Sequence, residues 1–300
     1  MSALETWLLA PLAHDFMLRA LLVAVLVGMV CAVLSCFLIL KGWSLMGDAV
    51  SHAVLPGIVI AAMTGLPLAA GAFAAGLGCA LAIGYLKESS RVKEDTVMGI
   101  VFSGMFALGL VLFVKVDTDQ HLNHILFGDM LGVRWGDIAE TALIAVPVIA
   151  VMLAKRRDFL LQAFDPAHAR AIGLNGRALH FGLLIMLALT IVASLKAVGI
   201  ILVVAMLIAP GAIGFLLTRR FDVMLLAAVT VSVVSSVLGT LLSYHLDAAT
   251  GPCIVVVQAG FFLAALALSL RRAALRAAAA PTGDQVAITP PVARVHRPQP

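Results

Sequence analysis

The stretch from Ala20 to Leu40, ALLVAVLVGMVCAVLSCFLIL, contains no charged residue and no proline. A helix needs about 20 apolar residues to cross about 30 Å of hydrocarbon, and this run has that length. A helix that is apolar on every side must be surrounded by other apolar material, which is either a protein core or lipid. The stretch therefore predicts a membrane-spanning helix.

The rest of the chain is also rich in apolar residues and poor in charged ones. Of its 300 residues, 62% are hydrophobic and 12% are charged, whereas a soluble domain has roughly 25% charged residues. A globule of this composition would expose large apolar patches to water, and such patches drive aggregation. The composition excludes a soluble enzyme, a soluble nucleic-acid-binding protein and a largely disordered chain. It predicts an integral membrane protein.

Further apolar runs, all uncharged except one that carries Glu140 near its start at the interface, predict about nine membrane crossings in an all-α polytopic fold, or eight if one segment is re-entrant. One long run divides in two at Gly65-Leu66-Pro67, and its first half is short unless it begins near Trp43. We assign the membrane domain to residues 18–272. The runs after the first are Ala53–Leu86, Val97–Val114, Ile138–Ala154, Phe181–Leu195, Ala197–Leu217, Val223–Tyr244 and Ala248–Leu270.

Lysine and arginine are concentrated in alternate connections, which predicts the orientation. The opposite connections hold only Arg19, Lys115, Arg134 and Lys196. Basic connections face the cytoplasm, so the N-terminus, with residues 1–17 outside or at the interface, is extracytoplasmic and the C-terminus is inside. The Pro-rich residues 281–300 predict a disordered cytoplasmic tail. The basic set comprises Lys41, Lys87, Arg91, Lys93, Lys155, Arg156, Arg157, Arg170, Arg177, Arg219, Arg220, Arg271, Arg272 and Arg276.

Two ionisable residues, Asp48 and His52, lie four positions apart in an otherwise apolar segment. In a helix their side chains would share one face, with Cβ atoms about 5–6 Å apart. A carboxylate and an imidazole so placed can hold Mn²⁺, Fe²⁺ or Zn²⁺; the alternative is an interfacial ion pair beside Lys41. Pro56-Gly57 would interrupt the helix, as in the broken helices at transporter substrate sites.

The run from Gly47 to Gly57, GDAVSHAVLPG, resembles the signature of permease subunits of bacterial ABC importers for manganese, zinc and ferrous or chelated iron. The resemblance extends over about Ala20–Leu270, and several blocks in the right order make it specific. An Asp-x-x-x-His spacing alone would be weak. The further blocks are Lys93–Thr96, Gly99–Gly109, His124–Gly128, Phe164–Leu174, Leu195–Val203 and Ala209–Gly211.

This resemblance implies a type II ABC importer permease, an all-helical subunit that forms a homodimer around one central pathway in the bacterial cytoplasmic membrane. It implies that Asp48 and His52 coordinate the transported manganese, zinc or ferrous ion, with no permanently bound cofactor. The implied partners are ATP-binding-cassette ATPase subunits, an extracytoplasmic metal-binding protein, a second permease copy and membrane lipid, with no nucleic acid. The chain has no G-x-x-x-x-G-K-[ST] motif, so ATP hydrolysis is expected in the separate subunit.

The longest cytoplasmic connection, residues 155–178, is implied by the resemblance to form short coupling helices that dock on the ATPase. Proline suits the first position of a helix, and glycine suits the position just after its end. The alternative is an amphipathic loop that lies on lipid headgroups. The expected coupling residues are Asp165, Pro166, Ala171, Gly173 and Leu174.

The segment 117–137 is acidic and carries His121, His124 and Asp129. Acidic clusters concentrate cations, so the segment is either a metal-capture loop or an ordinary solvated external loop. His245 is at an external helix end, where it either gates the pathway or simply ends the helix.

Other functions remain open from the sequence. A type II permease for a siderophore or cobalamin would need a wide cavity and no direct carboxylate–imidazole pair. An ion-coupled secondary transporter would work without an ATPase. An intramembrane enzyme could use Asp48 and His52 as an acid–base pair, but no nucleophile accompanies them.

Overall fold

The structure, a computed structural model, describes residues 11, 13–114, 128 and 130–279. Within these residues the regular secondary structure is helical throughout and contains no strand. The helices are α1 (Asp15–Leu40), α2 (Met46–Ala53), α3 (Leu55–Thr64), α4 (Leu68–Ser89), α5 (Glu94–Phe113), α6 (Trp135–Ala154), α7 (Arg156–Phe164), α8 (Pro166–Ala171), α9 (Gly176–Val198), α10 (Ile200–Leu217), α11 (Phe221–Leu246) and α12 (Thr250–Ala279).

Eight helical stretches of the described residues are long and apolar enough to cross a membrane. They comprise α1, α2 with α3 as one stretch, α4, α5, α6, α9, α11 and α12. The ninth predicted crossing is α10, which has 18 residues and spans about 27 Å at 1.5 Å per residue. The all-α polytopic fold is confirmed. Helix α12 continues to Ala279, beyond the predicted boundary at residue 272.

Helix α1 forms the centre of the bundle and packs most extensively against α10 and α11. Hydroxyl groups join these helices at close range. Ser232 Oγ donates to the carbonyl of Gly28 at 2.8 Å, and Ser236 Oγ donates to the carbonyl of Ala24 at 3.2 Å. On α10, the Gly211 N–H donates to Ser35 Oγ at 3.0 Å. Small residues and interhelical hydrogen bonds of this kind hold helices together in lipid.

The predicted helix break lies at Val54, slightly before the expected Pro56-Gly57. Proline has no N–H, so Pro56 cannot donate to the carbonyl four residues earlier, and the helix is interrupted there. Val54 itself keeps helical torsion angles (φ −68°, ψ −26°), so α2 and α3 continue as one crossing. The interruption is therefore milder than a fully unwound segment.

Helix α3 approaches α4 closely at a pair of glycines. A Cβ atom on Gly57 would lie 2.1 Å from the carbonyl oxygen of Gly71, and one on Gly71 would lie 2.2 Å from the carbonyl oxygen of Gly57. No side chain fits at either position without moving backbone. This contact fixes α3, and through Val54 it positions α2.

The segment between α6 and α9 contains the two short helices α7 and α8. Asp165 caps α8: its Oδ1 accepts hydrogen bonds from the N–H groups of Ala167 (3.1 Å) and His168 (2.8 Å). Pro166 is the first helical residue, and Gly173 follows the helix with φ +85°. The predicted helix start and end in this segment are confirmed.

Candidate metal site

Asp48 and His52 lie one turn apart on α2, and His52 Nε2 is 3.3 Å from Asp48 Oδ1. Each side chain is 34% exposed. The other side of α2 is buried, including Met46, Val50 and Ala53. Helix α2 thus has one packed face and one open polar face, and the candidate ligands occupy the open face.

Two phenylalanines of α5 surround the imidazole of His52. The ring of Phe106 meets it edge-on with centroids 5.3 Å apart, and the ring of Phe102 lies 6.0 Å away. His52 Nδ1 is buried and, within the described part of the chain, has no hydrogen-bond partner. Buried polar atoms in native proteins nearly always have partners, so this nitrogen marks a position where the protein's own contacts are incomplete.

One copy of the chain supplies only part of a ligand set. Among residues 13–114 and 130–279 there is no group of three or more His, Cys, Asp or Glu side chains able to hold a metal ion. Zn²⁺ sites in proteins almost always have four ligands. We call Asp48 and His52 a candidate half-site, since a metal ion bound there would need further ligands from outside the described residues or from another chain.

The turn between α1 and α2 is fixed by a cluster at the predicted cytoplasmic side. Lys41 Nζ lies 3.8 Å from the ring centroid of Trp43 and 3.3 Å from His180 Nδ1 on α9. The rings of Trp43 and His180 pack edge-to-face with centroids 4.9 Å apart. A buried tryptophan and a cation over its face thus connect the start of α2 to α9.

Of the external candidates, His245 lies among the described residues and forms no metal-binding group with Asp48 and His52. His245 lies in the last turn of α11, and its ring packs edge-on against Tyr244. Tyr244 Oη is 3.4 Å from Nε2 of His14, which precedes α1. The candidates His121, His124 and Asp129 lie outside the described residues.

Sequence reasoning missed Phe102, Phe106 and His14 as neighbours of candidate residues. Phe102 and Phe106 are four positions apart within the block Gly99–Gly109. That spacing could have indicated a shared helix face. No sequence signal connects His14 with Tyr244, because 230 positions separate them along the chain.

Comparison with known proteins shows which family this chain belongs to. The model of the ABC 3 transport family matches residues 13–269. The chain belongs to the ABC 3 transport family. It is a multi-pass membrane protein and a permease subunit of an ABC transporter, whose ATPase is a separate subunit. The family resemblance expected from the sequence is confirmed.

Individual relatives cover most of the chain. The chelated iron transport system membrane protein YfeD of Yersinia pestis is 63% identical over 266 residues, 89% of this chain and 90% of that relative. The manganese transport system membrane protein MntB of Synechocystis sp. is 54% identical over 260 residues, 87% of this chain and 85% of the relative. The solved structure of PsaBC from Streptococcus pneumoniae in complex with Fab matches with a TM-score of 0.78 and 36% identity, covering 87% of this chain and 95% of that one.

Proposed function

We propose that this permease subunit moves a divalent metal ion, manganese, ferrous iron or zinc, into the cytoplasm, and that Asp48 and His52 bind the ion during transit. The observation that carries the proposal is the half-site on the open face of α2, with a carboxylate and an imidazole one turn apart. The names of the relatives, which refer to iron and manganese transport, support a metal cargo. Because the chain is a permease subunit of an ABC transporter, it is neither an ion-coupled secondary transporter nor an intramembrane enzyme.

A second copy of the chain would complete the half-site. Two copies around a central axis bring two carboxylates and two imidazoles, which makes four ligands. The two carboxylates carry a charge of −2 and neutralise the ion, whose hydration must be replaced before it can pass through lipid-shielded protein. Carboxylate and imidazole suit borderline divalent ions of the first transition row. Helix α2 is held by the Gly57–Gly71 contact, which keeps the ligand pair in register.

We further propose that α8 transmits movement of the ATPase to α2. Asp165 caps the short helix from Pro166 to Ala171, and Gly173 and Leu174 follow its end, in the connection between two spanning helices. The α1–α2 turn is connected to α9 by Lys41, Trp43 and His180, and α9 directly follows the α8 segment. We also propose that the N-terminus lies outside and the C-terminus in the cytoplasm of a bacterial inner membrane, as the distribution of basic residues indicates, and that an extracytoplasmic metal-binding protein delivers the ion.

The test is metal uptake by the complete transporter in cells, measured with radioactive manganese, iron and zinc. Asp48→Asn together with His52→Gln should lower uptake by about 100-fold or more, since even residues that only support metal ligands cost 10–100-fold. The matched control is His14→Gln with Asp15→Asn, which removes the same two residue types from the start of α1 and should retain uptake.

Unchanged uptake in the Asp48 and His52 variant would contradict the site. If such a variant still accumulated iron only as a siderophore complex, the cargo would be a chelate and the direct ligand role would be wrong. Equal loss in both double variants, with both proteins present in the membrane, would also contradict the assignment.

A further inference from the structure

A groove of ≈ 990 Å³ lies where four spanning helices end on one side of the bundle. The ends of α1, α7 and α10, the start of α11 and the segment of α12 from Ser269 to Ala273 form its walls. By the distribution of basic residues, this is the cytoplasmic side. Most of its wall is apolar, and the apolar side chains include Leu40, Phe164, Phe215, Leu216, Phe221 and Met224.

Two arginines line the same groove. Arg272 Nη1 donates to the carbonyl of Leu217 at 3.4 Å, which uses one of the five N–H donors of a guanidinium. Within the described ranges, no carboxylate forms an ion pair with Arg219 or Arg272. The adjacent Asp222 pairs instead with Arg156 at 3.3 Å. The groove therefore combines apolar walls with two guanidinium groups whose charge no described acid balances.

We propose that this groove binds an anionic phospholipid of the cytoplasmic leaflet. The acyl chains would lie against Leu40, Phe215 and Met224, and the phosphate would lie between Arg219 and Arg272. Basic pockets between spanning helices on the cytoplasmic side have this chemistry, and guanidinium groups bind phosphate through two parallel hydrogen bonds. No metal is involved, and the inference goes beyond the transport function proposed above.

One wall of the groove is formed by α12, which the rest of the chain covers only in part. Only 22% of the apolar window of α12 is buried in the bundle, so most of its apolar surface is left for lipid or for a second chain. Phe164, the last residue of α7, is 67% exposed and lines the groove directly before the cap of α8. A lipid bound here would contact the segment that leads into α8, which gives the lipid a route to influence coupling.

The experiment uses the full permease purified with its ATPase in neutral detergent, with phosphatidylglycerol or phosphatidylcholine added. Native mass spectrometry counts the lipids retained by the complex. Arg219→Gln with Arg272→Gln should weaken the retention of phosphatidylglycerol by about 30-fold, as expected from two basic groups near a phosphate. The matched control, Arg220→Gln with Arg271→Gln, removes the same charge from neighbouring positions that do not line the groove and should retain the lipid.

A second variant fills the groove and keeps both arginines. Ala273→Phe places a ring in the groove from an exposed position on α12, and it should also lose phosphatidylglycerol. If Ala273→Phe retained as much phosphatidylglycerol as the wild type, the proposal would be overturned. This test holds even if the arginine variant does not fold. Equal loss of phosphatidylglycerol in both arginine variants would show that only the total positive charge matters. That result would overturn the proposal. Loss of the ATPase with phosphatidylglycerol still bound would show that the groove is an ATPase contact.

Discussion

Polar side chains at the α1–α11 contact and at the α2–α5 contact differ in their hydrogen-bond partners. In the first, Ser232 and Ser236 donate to carbonyls of α1 and are buried. In the second, His52 packs against two phenylalanines, remains one-third exposed and keeps Nδ1 without a partner in the described chain. The hydroxyl groups of Ser232 and Ser236 thus bond to the neighbouring helix α1, whereas the described chain supplies no partner for Nδ1 of His52.

The difference shows how a permease can separate stability from transport. Helix packing in lipid relies on small residues and many weak hydrogen bonds, each worth well under about 2 kcal/mol. A transport site needs ligands that are fixed in position but incompletely satisfied, since the ion must both bind and leave. We therefore expect substitutions in the two regions to have different signatures, and the following variants test that expectation.

The largest effect should come from Gly71→Leu, which disrupts the contact between α3 and α4 that positions α2. Its Cβ would meet the Gly57 carbonyl at 2.2 Å, so α3 and α4 must separate. Overpacking of this kind costs about 1–3 kcal/mol or more, and we expect little folded protein by size-exclusion chromatography in detergent. Gly78→Leu on the same helix is the control, because nothing lies within 4 Å of its Cβ position. Normal folding of Gly71→Leu would disprove the close contact.

Phe106→Ala should weaken metal binding without unfolding the protein. Removal of the ring that meets His52 edge-on frees the imidazole to rotate, and the metal concentration for half-maximal uptake should rise by about tenfold, within the range for residues that orient ligands. Phe106→Leu should be less affected because it keeps bulk against the ring. Leu110→Ala, one turn later on α5 and exposed, is the control. An equal effect at Leu110 would mean that His52 is not the affected group.

Asp165→Ala should uncouple ATP hydrolysis from transport. The substitution removes the cap of α8, which is worth about 1 kcal/mol of helix stability. We expect less metal moved per ATP hydrolysed by the complete complex in proteoliposomes. Asn175→Ala removes an equivalent cap, the bond from the Ala178 N–H, but on α9. If both variants changed the transport-to-ATP ratio equally, α8 would have no special part in coupling.

The smallest effect should come from Ser232→Ala in the packed region. It removes one interhelical hydrogen bond, worth about 0.6 kcal/mol on average in a membrane protein. The thermal unfolding temperature in detergent should fall slightly, and uptake of manganese should remain at the wild-type level. A loss of uptake without loss of folded protein would show that the α1–α11 contact takes part in transport and would remove the contrast between the two regions.

Much of the fold follows from local sequence. Uncharged runs such as Ala20–Leu40 predict crossings because lipid tolerates so few charges, and the spacing of Asp48 and His52 places them on one face of a helix. Contacts between distant segments were beyond prediction. The ring of Phe106 beside His52, the glycine contact between α3 and α4, and the groove at Arg219 and Arg272 all depend on how helices pack.

The most direct test of the central claim is the ratio of bound metal to permease in the purified complex, held in the occluded state. Elemental analysis should find one manganese or iron ion for every two permease chains. Anomalous X-ray scattering should place that ion between the Asp48 and His52 side chains of both copies. One ion in each chain, or an ion bound far from Asp48 and His52, would contradict the shared site.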